Sequence, residues 1–148
     1  MKPIPADYQQ EQWLEVSSAM TVDFEQDSAG LGALHPVYST YWLTKHMEMT
    51  ARSLLLPFLE EGDEGIGFEV QVRHLAPALP GMQLRHVALF RELKPKGDKY
   101  FLYADAEVHS PFELIAKGST TQVIMPQEQL QQRFAALRAR WEEKNRGM

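Results

Sequence analysis

Between residues 66 and 125 four apolar runs of period two follow one another with only turn-forming residues between them. In IGFEVQVRH, residues 66–74, Ile66, Phe68, Val70, Val72 and His74 alternate with Gly67, Glu69, Gln71 and Arg73, so His74 closes the apolar face. The runs MQLRHVALFREL, KYFLYADAEVH and LIAKGSTTQVIM are set apart by LAPALPG, KPKGD and SPFE. Strands joined this closely leave no length for crossover helices. They predict an antiparallel meander.

Ahead of these strands lies a long helical pattern. From about Thr40 to Glu60, Leu43, Met47, Ala51, Leu54, Leu55 and Phe58 recur at helical spacing, with Pro57 and Gly62 as the stop. Residues 16–24, VSSAMTVDF, alternate and predict a first strand, and QDSAGLGALHP reads as a long covering loop, a candidate lid. After Pro126, Leu130, Phe134, Leu137 and Trp141 step by four, three and four residues, which predicts a C-terminal helix over about 127–145. A helix that is apolar on much of its circumference must be wrapped by the sheet. The expected fold is α+β: one domain spanning 1–148, with a core at about 16–125. In it a curved antiparallel sheet of about five strands wraps a long central helix, the hotdog architecture. Such a sheet covers its helix incompletely and leaves a free edge, so a homodimer is expected.

Composition removes several classes of function. With 148 residues and no cysteine, the chain can bury a core without staples, and it has no disulfide, thiolate zinc site or cysteine nucleophile. A net charge of -5 and the lack of any base-reading motif argue against a nucleic-acid partner. The N-terminal stretch has no apolar core of a signal peptide, and the longest apolar run, LLLPFL, is too short for a bilayer. A soluble, cytoplasmic protein without a membrane partner is the expectation.

Three residues stand out for chemistry. Glu48 has Arg52 at i+4 and Lys45 at i-3, the spacing of a surface ion pair. Its alternative reading, at the edge of the apolar stripe beside Met47, is a base or nucleophile. His74 points from its strand toward the helix that carries Glu48, as a structural group or a catalytic one. Thr40, after Ser39, reads as an N-cap, or as part of a helix N-terminus that offers donors to an oxyanion. His46 and Glu48 form H-x-E, but a deaminase-type zinc site also needs cysteines. His35, His86 and His109 show no metal-ligand spacing, and nucleotide-binding glycine loops are absent.

The run YSTYWLTKHMEMTARSLLLPFLEEGDEGIGFEVQVRHLAPALPG, residues 38–81, resembles the fluoroacetyl-CoA thioesterase-like branch of hotdog proteins. The likeness lies in a threonine, a glutamate eight residues on, the helix end PFLEEG, and a strand that closes in histidine before a proline-glycine turn. The resemblance implies hydrolysis of an acyl thioester of coenzyme A, with no metal and no cofactor beyond the coenzyme A of the substrate. It places Thr40, Glu48 and His74 on the family's catalytic positions. Glu48 would act as nucleophile or general base, His74 in proton transfer, and Thr40 on the carbonyl oxygen. The chain departs from the fluoroacetyl-specific pattern at Tyr41 and Lys45, where that enzyme has glycine, and bulky Trp42 follows Tyr41. Substrate choice is expected at Tyr41, Trp42, Lys45 and Gly67, and fluoroacetyl specificity is not carried over.

Eight residues of straight helix separate Thr40 from Glu48 by roughly 12 Å. Either the chain before about Leu43 is not yet helical, or Thr40 of one subunit serves Glu48 of another. Two further readings stay open. A hotdog hydratase or dehydratase would need an aspartate, but Asp105 faces away from the apolar side of its strand. A non-catalytic module would bind an acyl or aromatic ligand.

Overall fold

The computed structural model describes residues 1–147. Its centre is α1, Thr40–Leu55, which buries Leu43, Met47, Ala51, Leu54 and Leu55 on one face. A short 3-10 turn, Leu56–Phe58, carries Pro57 in its first positions, and the chain leaves it in extended conformation at Leu59. Pro57 has no N–H to continue the helical ladder, so the α-helix ends at Leu55, short of the Glu60 that the periodicity predicts.

A five-stranded antiparallel sheet wraps this helix. Its strands are β1 (Gln9–Glu15), β4 (Asp63–His74), β5 (Gln83–Lys96), β6 (Lys99–His109) and β7 (Leu114–Pro126), in the order β1-β5-β6-β7-β4. β2 (Thr21–Asp23) and β3 (Ala33–Tyr38) form a separate two-stranded ribbon. Of the four predicted strands β5, β6 and β7 form the expected meander, whereas β4 is corrected: it does not pair with β5 but lies at the far edge of the sheet, antiparallel to β7. α2, Gln127–Arg146, follows β7 directly and buries only Leu130, so Phe134, Leu137 and Trp141 lie exposed. This is the expected hotdog arrangement with a C-terminal helix.

Two further predicted elements are corrected. Residues 16–24 are not the first strand of the sheet: they hold a 3-10 turn, Ser18–Met20, and the three residues of β2. The edge strand is β1, paired with β5 from Gln9↔Leu89 to Glu15↔Gln83, so the sheet begins before residue 16. Its inward positions are Gln10, Gln12 and Leu14 while Trp13 points out, 65% exposed, so the strand lacks the apolar alternation that marks a half-buried face. The predicted covering loop is also shorter than expected, because β3 begins at Ala33.

β4 departs from simple alternation too. The register with β7 slips between Gly67 and Glu69, leaving Phe68 as the extra residue of a bulge. The slip changes which residues face the helix. Before it, Gly65 and Gly67 point inward: a Cβ at Gly65 would overlap Leu55, and one at Gly67 would lie 3.8 Å from Glu48 Oε1. After it, Val70, Val72 and His74 face inward as expected. Phe68, 65% exposed, instead packs edge-on against Phe101 on the outer face, with centroids 5.5 Å apart.

Candidate active site

The N-terminus of α1 carries the first half of the site. Ser39, not Thr40, is the N-cap: its backbone is extended and its Oγ accepts from the Trp42 N–H at 3.2 Å. Thr40 is therefore the first helical residue, and its hydroxyl is free for another partner. That partner is His74, whose Nδ1 lies 2.9 Å from Thr40 Oγ1. The other ring nitrogen, Nε2, is buried and has no hydrogen-bond partner among the described residues. Burial holds the His74 imidazole below its ordinary value, with the backbone of Ala76 offsetting part of the effect. A neutral imidazole with one nitrogen engaged and the other open is suited to accepting a proton.

Glu48 lies two turns further along α1 and lines a cavity of about 310 Å³ with Lys45, Met49, Gly67, Val70 and Gln122 among its walls. Neither expected ion-pair partner holds it. Arg52 turns instead to Glu64 Oε1 at 3.0 Å and the Gly65 carbonyl at 3.3 Å. The Lys45 ammonium sits 4.6 Å above the Trp42 ring. Glu48 thus makes no hydrogen bond or ion pair among the described residues, and the reading of a Glu48–Arg52 surface pair is overturned. Gln122 shapes the inner wall by donating from Nε2 to the Ala51 carbonyl at 3.0 Å, on the helix turn next to Glu48.

Thr40 and Glu48 do not meet within one chain. α1 is regular from Thr40 onward, which removes the possibility that the segment before Leu43 is unwound. At 1.5 Å per residue, Thr40 and Glu48 stay about 12 Å apart along the axis. Lys45 and Gly67 line the Glu48 cavity, whereas Tyr41 and Trp42 lie outside it. The Tyr41 hydroxyl accepts from the Asp23 N–H and reaches the Thr21 carbonyl, each at 3.0 Å, and so ties α1 to β2. Trp42 packs on His46.

Of three polar residues that meet near the site, Tyr38 escaped the sequence reading and His46 and His86 were weighed there only as metal ligands and set aside. Tyr38, His46 and His86 are all buried and meet through the Tyr38 hydroxyl. Burial pushes the His86 imidazole down to about 3 and lowers His46, with Lys45 adding to the second, and it raises the Tyr38 phenol. The remaining candidates are engaged elsewhere. His109 Nε2 lies 3.1 Å from Glu107, and Asp105 lies 3.3 Å from Arg91 on the outer face of the sheet. No group of three or more histidine, aspartate or glutamate side chains fit to hold a metal occurs among the described residues. No helix among them is long and apolar enough to cross a membrane.

The model of the fluoroacetyl-CoA-specific thioesterase (FlK) family matches residues 16–128, which takes in α1, β4 and every residue placed above in the site. The chain belongs to the fluoroacetyl-CoA-specific thioesterase family. As a member of this family it is a thioester hydrolase. It is similar to a hypothetical protein of Thermus thermophilus described as a thioesterase superfamily member, at 46% identity over 97% of this chain and 99% of that one, with a TM-score of 0.86. A solved structure of a variant of the fluoroacetyl-CoA-specific thioesterase shares the fold at 19% identity, covering 92% of this chain and 98% of that one with a TM-score of 0.79. A hot-dog-like protein from Thermanaerovibrio acidaminovorans does so at 22% identity, 89% and 91% coverage, and a TM-score of 0.74. No curated protein matches the chain.

Proposed function

We propose that this family member hydrolyses an acyl thioester of coenzyme A at two equivalent sites between two copies of the chain. Each site would take Glu48 from one copy and the His74–Thr40 pair from the other. The observation that carries this reading is the separation along α1: a bonded His74–Thr40 pair at the helix N-terminus, and an unpartnered Glu48 two turns away. β4 is an open sheet edge of 12 residues, the kind of edge a second copy can pair with. Antiparallel pairing of two β4 edges about a two-fold axis near Gln71 would set His74 of one copy against residue 68 of the other. Residue 68 adjoins Gly67, the neighbour of Glu48. Coenzyme A as the carrier is supported by the neighbouring fluoroacetyl-CoA-specific thioesterase, solved in complex with acetyl-CoA and with fluoroacetate and CoA.

The chemistry follows from the groups. Glu48 attacks the thioester carbonyl carbon, or takes a proton from a water that does. First-turn N–H groups of α1 and the Thr40 hydroxyl steady the negative charge that develops on the carbonyl oxygen. The carbon–sulfur bond then breaks and the sulfur leaves as a thiol, its proton relayed through His74 Nε2 from the water that is consumed; where Glu48 is the nucleophile, that water splits the acyl–Glu48 anhydride to release the free acid and regenerate the carboxylate. Thr40 fixes the imidazole through Nδ1, so one nitrogen is held and one is used. Acyl choice would fall to the cavity walls at Lys45 and Gly67 and to Tyr41 and Trp42 at the mouth of the helix.

Mixing two inactive variants tests both the residues and their arrangement. Glu48→Ala and His74→Ala are each expected to abolish hydrolysis of short-chain and aryl acyl-CoAs. In an equal mixture, half the dimers are mixed and each of those rebuilds one intact site of two, so about a quarter of wild-type activity returns. Activity unchanged by Glu48→Ala would refute the role of the carboxylate. Two inactive variants that fail to complement in demonstrably mixed dimers would refute the shared site.

A further inference from the structure

The segment that delivers Thr40 to the site is held by a polar cluster that the reaction itself does not use. Tyr38 ends β3, and its side chain is fully buried. Its hydroxyl lies 2.5 Å from Nδ1 of His46 on α1 and 3.2 Å from Nε2 of His86 on β5. One phenol therefore ties together the strand before the helix, the helix, and an internal strand of the sheet. The hydroxyl can donate to one imidazole and accept from the other, so all three buried groups are served by one oxygen. Three apolar side chains of similar volume would fill this space with no desolvation cost, so a polar cluster here calls for a reason other than burial.

Its neighbours supply one. The Tyr38 ring meets the His74 ring edge-on, with centroids 6.5 Å apart and planes at 78°. The Tyr38 N–H donates to the Ala78 carbonyl at 2.8 Å, and the next residue caps α1. Two residues on from Tyr38 is Thr40, the hydrogen-bond partner of His74. Tyr38 thus reaches both members of the pair, His74 through its ring and Thr40 through the main chain. His74 needs such support, because it ends β4 and its Nε2 has no partner to orient it. The other side of the cluster is closed by Trp42, whose ring lies 5.6 Å from that of His46, with the Lys45 ammonium stacked on its indole.

We propose that Tyr38, fixed by His46 and His86, is a positioning residue for the His74–Thr40 pair, a role that rests on the reading of that pair as catalytic. Losing the hydroxyl frees the ring to rotate or shift against His74. The cost falls on the alignment of the imidazole, not on contacts with substrate.

Tyr38→Phe keeps the ring and removes the anchor. It is expected to lower kcat about tenfold while KM stays within about twofold of wild type, the pattern of an interaction made only in the transition state. In the same variant the His74 imidazole resonances, followed by NMR in the free protein, are expected to move and to titrate at a different pH. A Tyr38→Phe protein with a lower unfolding temperature but unchanged kcat and unchanged His74 resonances would overturn the proposal, since a purely structural cluster does just that. Should Tyr38→Phe not fold, His86→Gln and His86→Leu take its place. Glutamine keeps a polar atom toward the phenol and is expected to retain more of kcat than leucine, at similar KM, and equal kcat in the two would likewise overturn the proposal. The NMR readout needs no turnover, so failure of the thioesterase reading, seen as activity indifferent to His74→Ala, is distinguishable from failure of this one.

Discussion

Glu48 sits on an exposed turn of α1 with its carboxylate toward a cavity and neither basic neighbour bound to it. The reason lies with those neighbours. Arg52 finds a carboxylate and a carbonyl together on β4, and Lys45 finds an aromatic face one turn back. A carboxylate without partners contributes little to stability, so Glu48→Gln should leave the unfolding free energy from urea titration within about 0.5 kcal/mol of wild type. The same change should lower kcat for acyl-CoA hydrolysis by about 100-fold or more, the scale of a lost general base or nucleophile. The histidines carry a second prediction. The unfolded chain takes up a proton at His86 near pH 6.5, while the folded chain resists protonation down to about 3. Between these values the unfolded state holds more protons, so stability falls as pH drops below about 6.5, by up to about 1.4 kcal/mol per pH unit for this group, and is flat with respect to it above. Urea titrations between pH 5 and 7 on wild type and His86→Leu should show a shallower slope in the variant. The proposed trio of Thr40, Glu48 and His74 comes from offsets within one run of sequence that resembles the family. The Tyr38 cluster was not legible in this way, because its members lie 8 and 48 residues from Tyr38 and only the wrapped sheet brings them together.

At the level of elements, patterns that report burial were read correctly and patterns that report pairing were not. α1 and the meander present continuous apolar faces to each other, so periodicity located them. β1 is held by main-chain bonds to β5 and shows only one apolar side chain inward, which leaves periodicity nothing to detect. The bulge at Phe68 is a second case. Phe68 continues the alternation in sequence, yet the extra residue turns it to the outer face and brings Gly65 and Gly67 inward against the helix. The absence of side chains there is what lets Leu55 approach and leaves space beside Glu48. Gly118 on β7 is the tightest such contact, since a Cβ would overlap the Gln71 carbonyl oxygen and lie 3.0 Å from the end of Met47. The first obstacle is main chain and cannot rotate away, so Gly118→Ala should cost about 1–3 kcal/mol by overpacking, read as a lower urea midpoint. A change at Gly67, whose Cβ would find ordinary contact at 3.8 Å from Glu48, should cost far less stability and act on turnover instead.

For the whole molecule, the decisive feature is the open edge at β4. The cavity beside Glu48 lies between α1 and the strands β4 and β7, against that edge. A second copy paired along β4 would continue the sheet and carry its own His74–Thr40 pair to the first copy's carboxylate. The proposed axis near Gln71 makes that residue meet its own counterpart, so any charge placed there is doubled across the interface. In the chain itself Gln71 Nε2 donates to Glu69 at 2.9 Å, which leaves the position neutral beside an acid. Gln71→Glu removes that donor and sets two carboxylates directly against each other on the axis, residue 71 from each copy, while the same register puts Glu69 of each copy opposite residue 73 of the other. Like charges directly opposed on paired strands destabilise the pairing, and salt screens exposed charges of this kind. The variant should therefore dissociate at protein concentrations where wild type stays dimeric, seen in sedimentation velocity, while its far-UV circular dichroism is unchanged. Its specific activity should fall on dilution in step with the dimer fraction and recover with added salt, because a lone chain holds two halves of different sites. A monomeric Gln71→Glu protein with full specific activity would show that one chain suffices, and the shared site would have to be abandoned.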